Sequence, residues 1–261
     1  MARIMITGSA DGLGQLAARL LIGQGHEVVL HARSASRARD AAAGAPGAAD
    51  VLVGDLAEIG ETVKVAEEAT AAGPFDAIIH NAGVGYRQPE RIVTPDGLSN
   101  VFAVNVLAPY LLTALIPRPP RLVYLSSGMH TGGEPGLDDL QWERRRWNGP
   151  QAYADSKLFD VVLAFAVARR WPDVRSNAVT PGWVATKMGG AGAPDDLSQG
   201  PVTQAWLAVS DDPAAAATGR YFYHQRPRET HPAATDESEQ DGLVGACARL
   251  TGVTLPAPSG I

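Results

Sequence analysis

The sequence predicts a doubly wound α/β fold: a parallel sheet of about seven strands, helices on both faces, in a single domain. Three observations carry this reading. Short apolar runs alternate with longer segments at helical spacing, the pattern of a parallel sheet covered on both sides. A glycine-rich turn follows the first run directly. No repeat period and no break in composition divides the 261 residues, a length that one large domain fills.

The elements follow in order. Arg3–Ile6 reads as the first strand, and Leu13–Gly23 places apolar residues on one helical face. Glu27–His31 and Val51–Val53 read as the second and third strands, and Ile59–Ala72 as a helix. Asp76–His80 is a fourth strand, Leu98–Leu115 a long helix and Leu122–Leu125 a fifth strand. Ala152–Arg170 is another long helix, stopped by Trp171-Pro172. Val174–Val179 is a sixth strand and Arg220–Tyr223 a seventh. Gly128–Pro150, Gly189–Gly200 and the polar stretch Arg226–Asp241 read as irregular. Right-handed crossovers between such strands make the expected sheet Rossmann-like.

Composition excludes several functions. The chain has 22 basic and 28 acidic residues, a formal charge of −6, which argues against a nucleic-acid partner. Arg144-Arg145-Arg146 reads as a solvated helix face. The single cysteine, Cys247, excludes an internal disulfide and fits a reducing compartment. No His or Cys lies before it at zinc-ligand spacing, so no metal site is expected. No leader pattern is read at Met1. The longest strongly apolar stretch, Val161–Ala168, is far short of the ~20 residues of a membrane span. A cytoplasmic protein without a membrane partner is expected.

The first turn reads Thr7-Gly8-Ser9-Ala10-Asp11-Gly12-Leu13-Gly14. Between a strand and a helix, such a turn offers backbone N–H groups and a positive helix end to a pyrophosphate. Its spacing, G-x-x-x-G-x-G, differs from the usual dinucleotide fingerprint. After the second strand, Ala32 stands where an acid would hold a ribose 2′-hydroxyl, and Arg33 follows. A guanidinium suits a 2′-phosphate, so NADP(H) is favoured over NAD(H). Asp11, an acid inside the phosphate turn, runs against that preference.

Further motifs follow along the chain: Asp55-Leu56, Asn81-Ala82-Gly83, Asn105, Ser126-Ser127, Tyr153-Ala-Asp-Ser-Lys157 and Pro181-Gly182. With the Thr7–Gly14 turn, these resemble the short-chain dehydrogenases/reductases over roughly residues 3 to 225. Independently of that resemblance, Tyr153 and Lys157 lie four apart on an expected helix and share one face. A tyrosine ionises near pH 10 in water, about three units too high for a base at neutral pH. A neighbouring ammonium favours the tyrosinate.

The resemblance implies an enzyme that moves hydride between a nicotinamide cofactor and a ketone or secondary alcohol. On it, Tyr153 is the general acid/base, Lys157 lowers its pKa and binds the nicotinamide ribose, and Ser127 holds the substrate oxygen. Ser126 is the alternative to Ser127, since strand alternation turns the two apart. Asn105 completes a proton relay through water to Lys157, or is a capping or core amide. Gly8, Ser9, Ala10, Asp11, Gly12, Leu13 and Gly14 hold the pyrophosphate. Asp55 and Leu56 meet the adenine, and Asn81, Ala82 and Gly83 the adenosine ribose. Pro181, Gly182, Val184 and Thr186 meet the nicotinamide. The cofactor half is then about 1–125, the catalytic and substrate part about 126–225, and the variable tail 226–261. On oligomeric state the resemblance leaves a homodimer or homotetramer through Leu98–Leu115 and Ala152–Arg170, or a monomer, as members with an insertion after the serine can be.

Ser127 and Tyr153 are 26 positions apart, about twice the separation in simple members. That insertion, and Arg220-Tyr221-Phe222-Tyr223 before a polar tail, are similar to the retinol-dehydrogenase-like branch, with bacterial ketoreductases an equal comparison. Met129, Trp183 and Met188 flank the expected site and are candidates for an apolar substrate pocket. Trp142 and Trp147 either join them or pack on a small core of the insertion. His130 reads as a surface histidine or a substrate contact, and Gly189–Gly200 as a lid or a simply flexible loop. A reductase is the leading expectation; the alternative is a dinucleotide-sensing binding protein without turnover. An extended-type epimerase is disfavoured by the glycine spacing and the short remainder of the chain.

Overall fold

Side chains alternate along each strand between two apolar layers. In a computed structural model, which describes residues 1–257, Met5, Val29, Leu52, Ile78, Leu122 and Tyr124 face one layer. Ile4, Ile6, Val28, Leu30, Ile79, Val123 and Leu125 face the other. Burial on both faces at a period of two is what parallel pairing requires.

The strands are β1 (Arg3–Ile6), β2 (Glu27–Ala32), β3 (Asp50–Val53), β4 (Ala77–His80), β5 (Arg121–Leu125), β6 (Arg175–Val179), β7 (Tyr221–Tyr223) and β8 (Arg226–Arg228). Their order is β3-β2-β1-β4-β5-β6-β7-β8. All neighbours are parallel except β7 and β8. The order reverses between β1 and β4, and ligands of doubly wound sheets bind in the crevice at that point.

The helices are α1 (Gly12–Gly23), α2 (Ala35–Gly44), α3 (Ile59–Ala72), α4 (Asn100–Phe102), α5 (Ala108–Leu115), α6 (Gly149–Arg170), α7 (Val202–Val209) and α8 (Glu237–Thr251). α1, α2 and α7 supply one layer; α3, α5, α6 and α8 supply the other. The expected helix Leu98–Leu115 is not continuous: a π-helical turn, Ala103–Leu107, joins α4 to α5. An apolar repeat does not distinguish that turn from regular helix.

Two further readings are corrected. The stretch Arg226–Asp241 is not irregular; it contains β8 and the start of α8. The Arg144–Arg146 triplet lies outside any helix, with Arg144 and Arg145 in a bend. Arg145 there bonds Glu134 at 3.0 Å, Asp139 at 3.2 Å and Asp155 at 3.1 Å, and stacks 3.8 Å over Trp142. Of the two readings of Trp142 and Trp147, packing holds: they meet edge to face at 5.6 Å, Trp147 Nε1 donates to the Gln88 carbonyl at 3.0 Å, and neither lines the β1/β4 crevice.

α8 lies across α6. Arg169 pairs with Glu237, Gln240 and Asp241, while Leu243, Val244 and Cys247 join the α6 layer. Beyond α8, the Val253 carbonyl accepts from Tyr110 Oη at 2.7 Å and the Pro256 carbonyl from Trp171 Nε1 at 3.0 Å. A face of the two helices expected to pair between copies is therefore covered from within the chain. No helix among the described residues is long and apolar enough to cross a membrane.

Candidate active site

A cleft of about 1870 Å³ opens at the β1/β4 crevice and runs to the ends of β5 and β6. At one end lies the glycine turn. Gly8 sits at φ +62°, and a Cβ there would come within 2.7 Å of the Ala82 Cα. The two segments approach because Thr7 Oγ1 accepts from the N–H groups of Asn81 and Ala82, both at 3.0 Å. Asn81 Nδ2 donates back to the carbonyls of Thr7 and Gly8.

Gly8, Ala10, Asp11, Gly12 and Leu13 line the cleft. Ser9 and Gly14 do not. Ser9 is fully buried, accepting from the His31 N–H at 2.9 Å. A Cβ on Gly14 would meet Asn81 Nδ2 at 2.4 Å. These two shape the turn from behind. His31 is a residue the sequence reading missed. Its Nδ1 accepts from the Gly8 N–H at 3.1 Å, which leaves Nε2 to donate to the Gly54 carbonyl at 2.9 Å. Burial holds its pKa below the ordinary histidine value, so it stays a neutral acceptor.

Asp11 caps α1 without a side-chain bond to the helix. Its carboxylate turns outward to Arg37 at 2.5 Å and Lys187 at 2.7 Å. Burial is opposed by these two cations, which bring its pKa below the ordinary aspartate value. The α1 N-terminus thus faces the cleft with its cap acid neutralised. Arg33, exposed, and Arg37, on α2, both line the same end. Arg37 was missed because α2 is polar, with only Ala41 buried. Its start was still marked, by Ser34 accepting from the Arg37 N–H. Asp55, Leu56, Asn81, Ala82 and Gly83 line the cleft beside them.

At the other end Tyr153 and Lys157 project from α6, with Ser127 facing them from beyond β5. Lys157 Nζ lies 5.7 Å from the Tyr153 ring centre and donates to the Leu125 carbonyl at 2.8 Å and to Asp160 Oδ2 at 2.7 Å. Ser126 and Ser127 diverge as alternation requires. Ser126 Oγ donates to the Lys157 carbonyl at 2.6 Å, while Ser127 is the hydrogen-bond partner of Tyr153. Burial lifts Tyr153 above the ordinary tyrosine pKa, against the pull of Lys157 and Ser127. Lys157 is raised too: burial disfavours its charge, but Asp160 and Tyr153 outweigh it.

Asn105 sits in the π-helical turn and does not line the cleft. Its Oδ1 accepts from the Val84 N–H at 2.8 Å, and its Nδ2 donates to the Val84 carbonyl at 3.1 Å and Ser156 Oγ at 2.9 Å. The side chain thus ties the loop after β4 to α6 behind Lys157.

Pro181, Gly182, Val184 and Thr186 line the cleft beyond β6. The loop they start is braced: Trp183 donates through its N–H to Asp195 Oδ2 at 2.6 Å, and through Nε1 to the Gly189 carbonyl at 3.0 Å. Met129, Trp183 and Met188 all border the cleft, with Tyr223 and Arg228 unforeseen beside them. His130 is buried rather than at the surface. It donates through Nδ1 to the Ser127 carbonyl, a bond of 2.8 Å, and its ring packs 4.4 Å from Tyr221.

Comparison with known proteins places this geometry in context. Residues 2–120 match the family model described as short chain dehydrogenase. An uncharacterised oxidoreductase of Emericella nidulans is 45% identical over 260 residues, covering 98% of this chain and 99% of that protein. The short-chain dehydrogenase chyC of Penicillium rubens is 44% identical over 261 residues, covering 98% and 100%. Among solved structures, an uncharacterised Mycobacterium paratuberculosis protein aligns with a TM-score of 0.85 at 26% identity, covering 98% of this chain and 95% of that one.

Proposed function

Because the chain belongs to the short-chain dehydrogenase/reductase family, oxidoreductases that act on CH–OH and C=O groups with NAD(P), we propose that it is an NADPH-dependent reductase of a moderately sized, apolar ketone. The observation that carries this is the convergence of Tyr153, Lys157 and Ser127 at the inner end of a cleft whose outer end is basic.

The residues present fit a dinucleotide. The Gly8 cradle is closed to any Cβ, the α1 N-terminus faces the cleft uncapped by its own side chain, and such an end favours a pyrophosphate. A typical single-ligand pocket holds about 300–1,000 Å³; this cleft is about 1870 Å³, room for cofactor and substrate together. Reduced nicotinamide, when bound, supplies the hydride. Tyr153 Oη donates a proton to the carbonyl oxygen, and Ser127 holds that oxygen beside it. Lys157, fixed by Leu125 and Asp160, steadies the charge left on Tyr153. Met129, Met188 and Trp183 keep the substrate side apolar.

The NADPH preference rests on Arg33 and Arg37 together. Asp11 no longer argues against it, since Arg37 and Lys187 neutralise its charge. Hydrogen bonds to a charged group contribute about 1.5–3 kcal/mol each. Arg33→Ala is expected to weaken NADPH binding by roughly ten- to a hundredfold, with NADH binding unchanged, as measured by calorimetry; Arg37→Ala, which also releases Asp11, is expected to weaken NADPH binding more than NADH binding. A wild-type preference for NADH refutes the assignment. For the reaction itself, a panel of ketones and secondary alcohols is followed by NADPH absorbance. Tight NADPH binding with no turnover on any member overturns the reductase reading and leaves a dinucleotide-binding protein.

A further inference from the structure

Lys157 does not face Tyr153 as a free ammonium. It is one half of an ion pair with Asp160, whose carboxylate lies 2.7 Å away on the next turn of α6, and the two side chains are only 5% and 3% exposed. At such burial a carboxylate persists only with a partner, and its field opposes the lysine's wherever the two act on a third group.

The other polar groups packed around the pair carry no charge at neutral pH. From β5, Tyr124 is pushed far above the ordinary tyrosine value by burial, its hydroxyl 2.7 Å from Thr113. From β4, burial drops His80 to about 3, and Thr113 Oγ1 lies 3.1 Å from its Nε2. Tyr221 is raised by burial. Asn105 is neutral. The electrostatic balance at Tyr153 is therefore set by Lys157 and Asp160.

We propose that Asp160 is a positioning residue that anchors Lys157 and offsets its field at the Tyr153 hydroxyl, so that Tyr153 keeps its proton at neutral pH and the free enzyme rests in its proton-donating form. The proposal rests on the reductase reading and deepens it. Carbonyl reduction consumes that proton: the tyrosine O–H bond breaks as the alcohol O–H bond forms, hydride from the reduced nicotinamide adds to carbon, and the tyrosinate recovers a proton from solvent. The direction of each electrostatic influence on Tyr153 agrees with the geometry. Burial raises Tyr153, Lys157 and Ser127 lower it, and Asp160 and Tyr86 raise it again. Asp160 itself is raised by burial, against the pull of Lys157, whose ammonium 2.7 Å away holds it as the paired carboxylate.

The test is an ultraviolet titration of tyrosinate in the protein free of cofactor, with the Tyr153→Phe variant subtracted to isolate Tyr153. In Asp160→Asn the carboxylate is gone and the lysine stays, so Tyr153 is expected to ionise at least about one pH unit lower, a tenfold change in its ionisation constant. The pH midpoint for alcohol oxidation should fall in step. An unchanged titration in a folded Asp160→Asn variant overturns the proposal. Should that variant fail to fold, the wild type decides: Tyr153 protonated at neutral pH supports the proposal, and Tyr153 ionised there overturns it. The ultraviolet titration needs no substrate, so an enzyme that reduces nothing defeats the reductase reading and leaves this measurement standing.

Discussion

Tyr153→Phe is expected to lower kcat by about 10²–10⁴, the usual contribution of a positioned proton donor, while NADPH affinity and thermal stability stay near wild type. The substitution removes one oxygen and keeps the ring. That ring is 6% exposed and rests edge-on against Tyr86, so packing is preserved. Lys157 keeps its bonds to the Leu125 carbonyl and Asp160, so the cofactor end of the site is undisturbed. Turnover and binding therefore separate, which general damage to the fold would not allow. A variant that retains more than a tenth of wild-type turnover would show that another group delivers the proton.

Gly8→Ala is expected to be strongly destabilising. The left-handed backbone costs a side chain roughly 1–2 kcal/mol. In addition the new Cβ would meet Ala82 backbone at 2.7 Å. Ala82 cannot recede without breaking the bond from its N–H to Thr7 Oγ1, and Gly8 cannot recede without releasing His31; a lost hydrogen bond costs about 1 kcal/mol. Together these give about 3 kcal/mol, or a fall in Tm of roughly 6–12 °C for a protein of this size, along with weakened NADPH binding. Gly12→Ala separates the contributions. Gly12 also has positive φ, +56°, but nothing lies within 4 Å of its Cβ position. Its Tm should fall by only the conformational part, and a Gly8→Ala melt no lower than that of Gly12→Ala would refute the clash.

The strands and the centre of the site were legible in the sequence for physical reasons. A buried parallel strand must be apolar on both faces, so Arg3–Ile6 and Asp76–His80 stand out as short runs. Tyr153 and Lys157 share a face by helical spacing alone. What escaped was set by tertiary packing. α2 buries only Ala41, and α8 interleaves its few buried apolar residues with charge, so neither gave a strong apolar repeat. His130 is polar in sequence, and only the fold shows that Tyr221 covers it. Asp160 lay in plain view three residues after Lys157, yet its spacing does not reveal that both ends of the pair would be dry. Ser9 and Gly14 belong to the phosphate turn by position, but they face inward because His31 and Asn81 occupy the space behind it.

The placement of α8 over α6 bears on how the protein is made. Every strand, and each side chain assigned to the cleft, lies at or before Glu229. Leu243, Val244 and Cys247, which seal the apolar side of α6, leave the ribosome afterwards. At synthesis rates of about 5–20 residues per second, the nascent chain holds a nearly complete sheet for a second or more with a stripe of α6 open to water. That interval is when the protein is most exposed to aggregation and to chaperones. Substitutions in α8 should therefore reduce the yield of folded protein far more than they alter the chemistry of the protein that does fold.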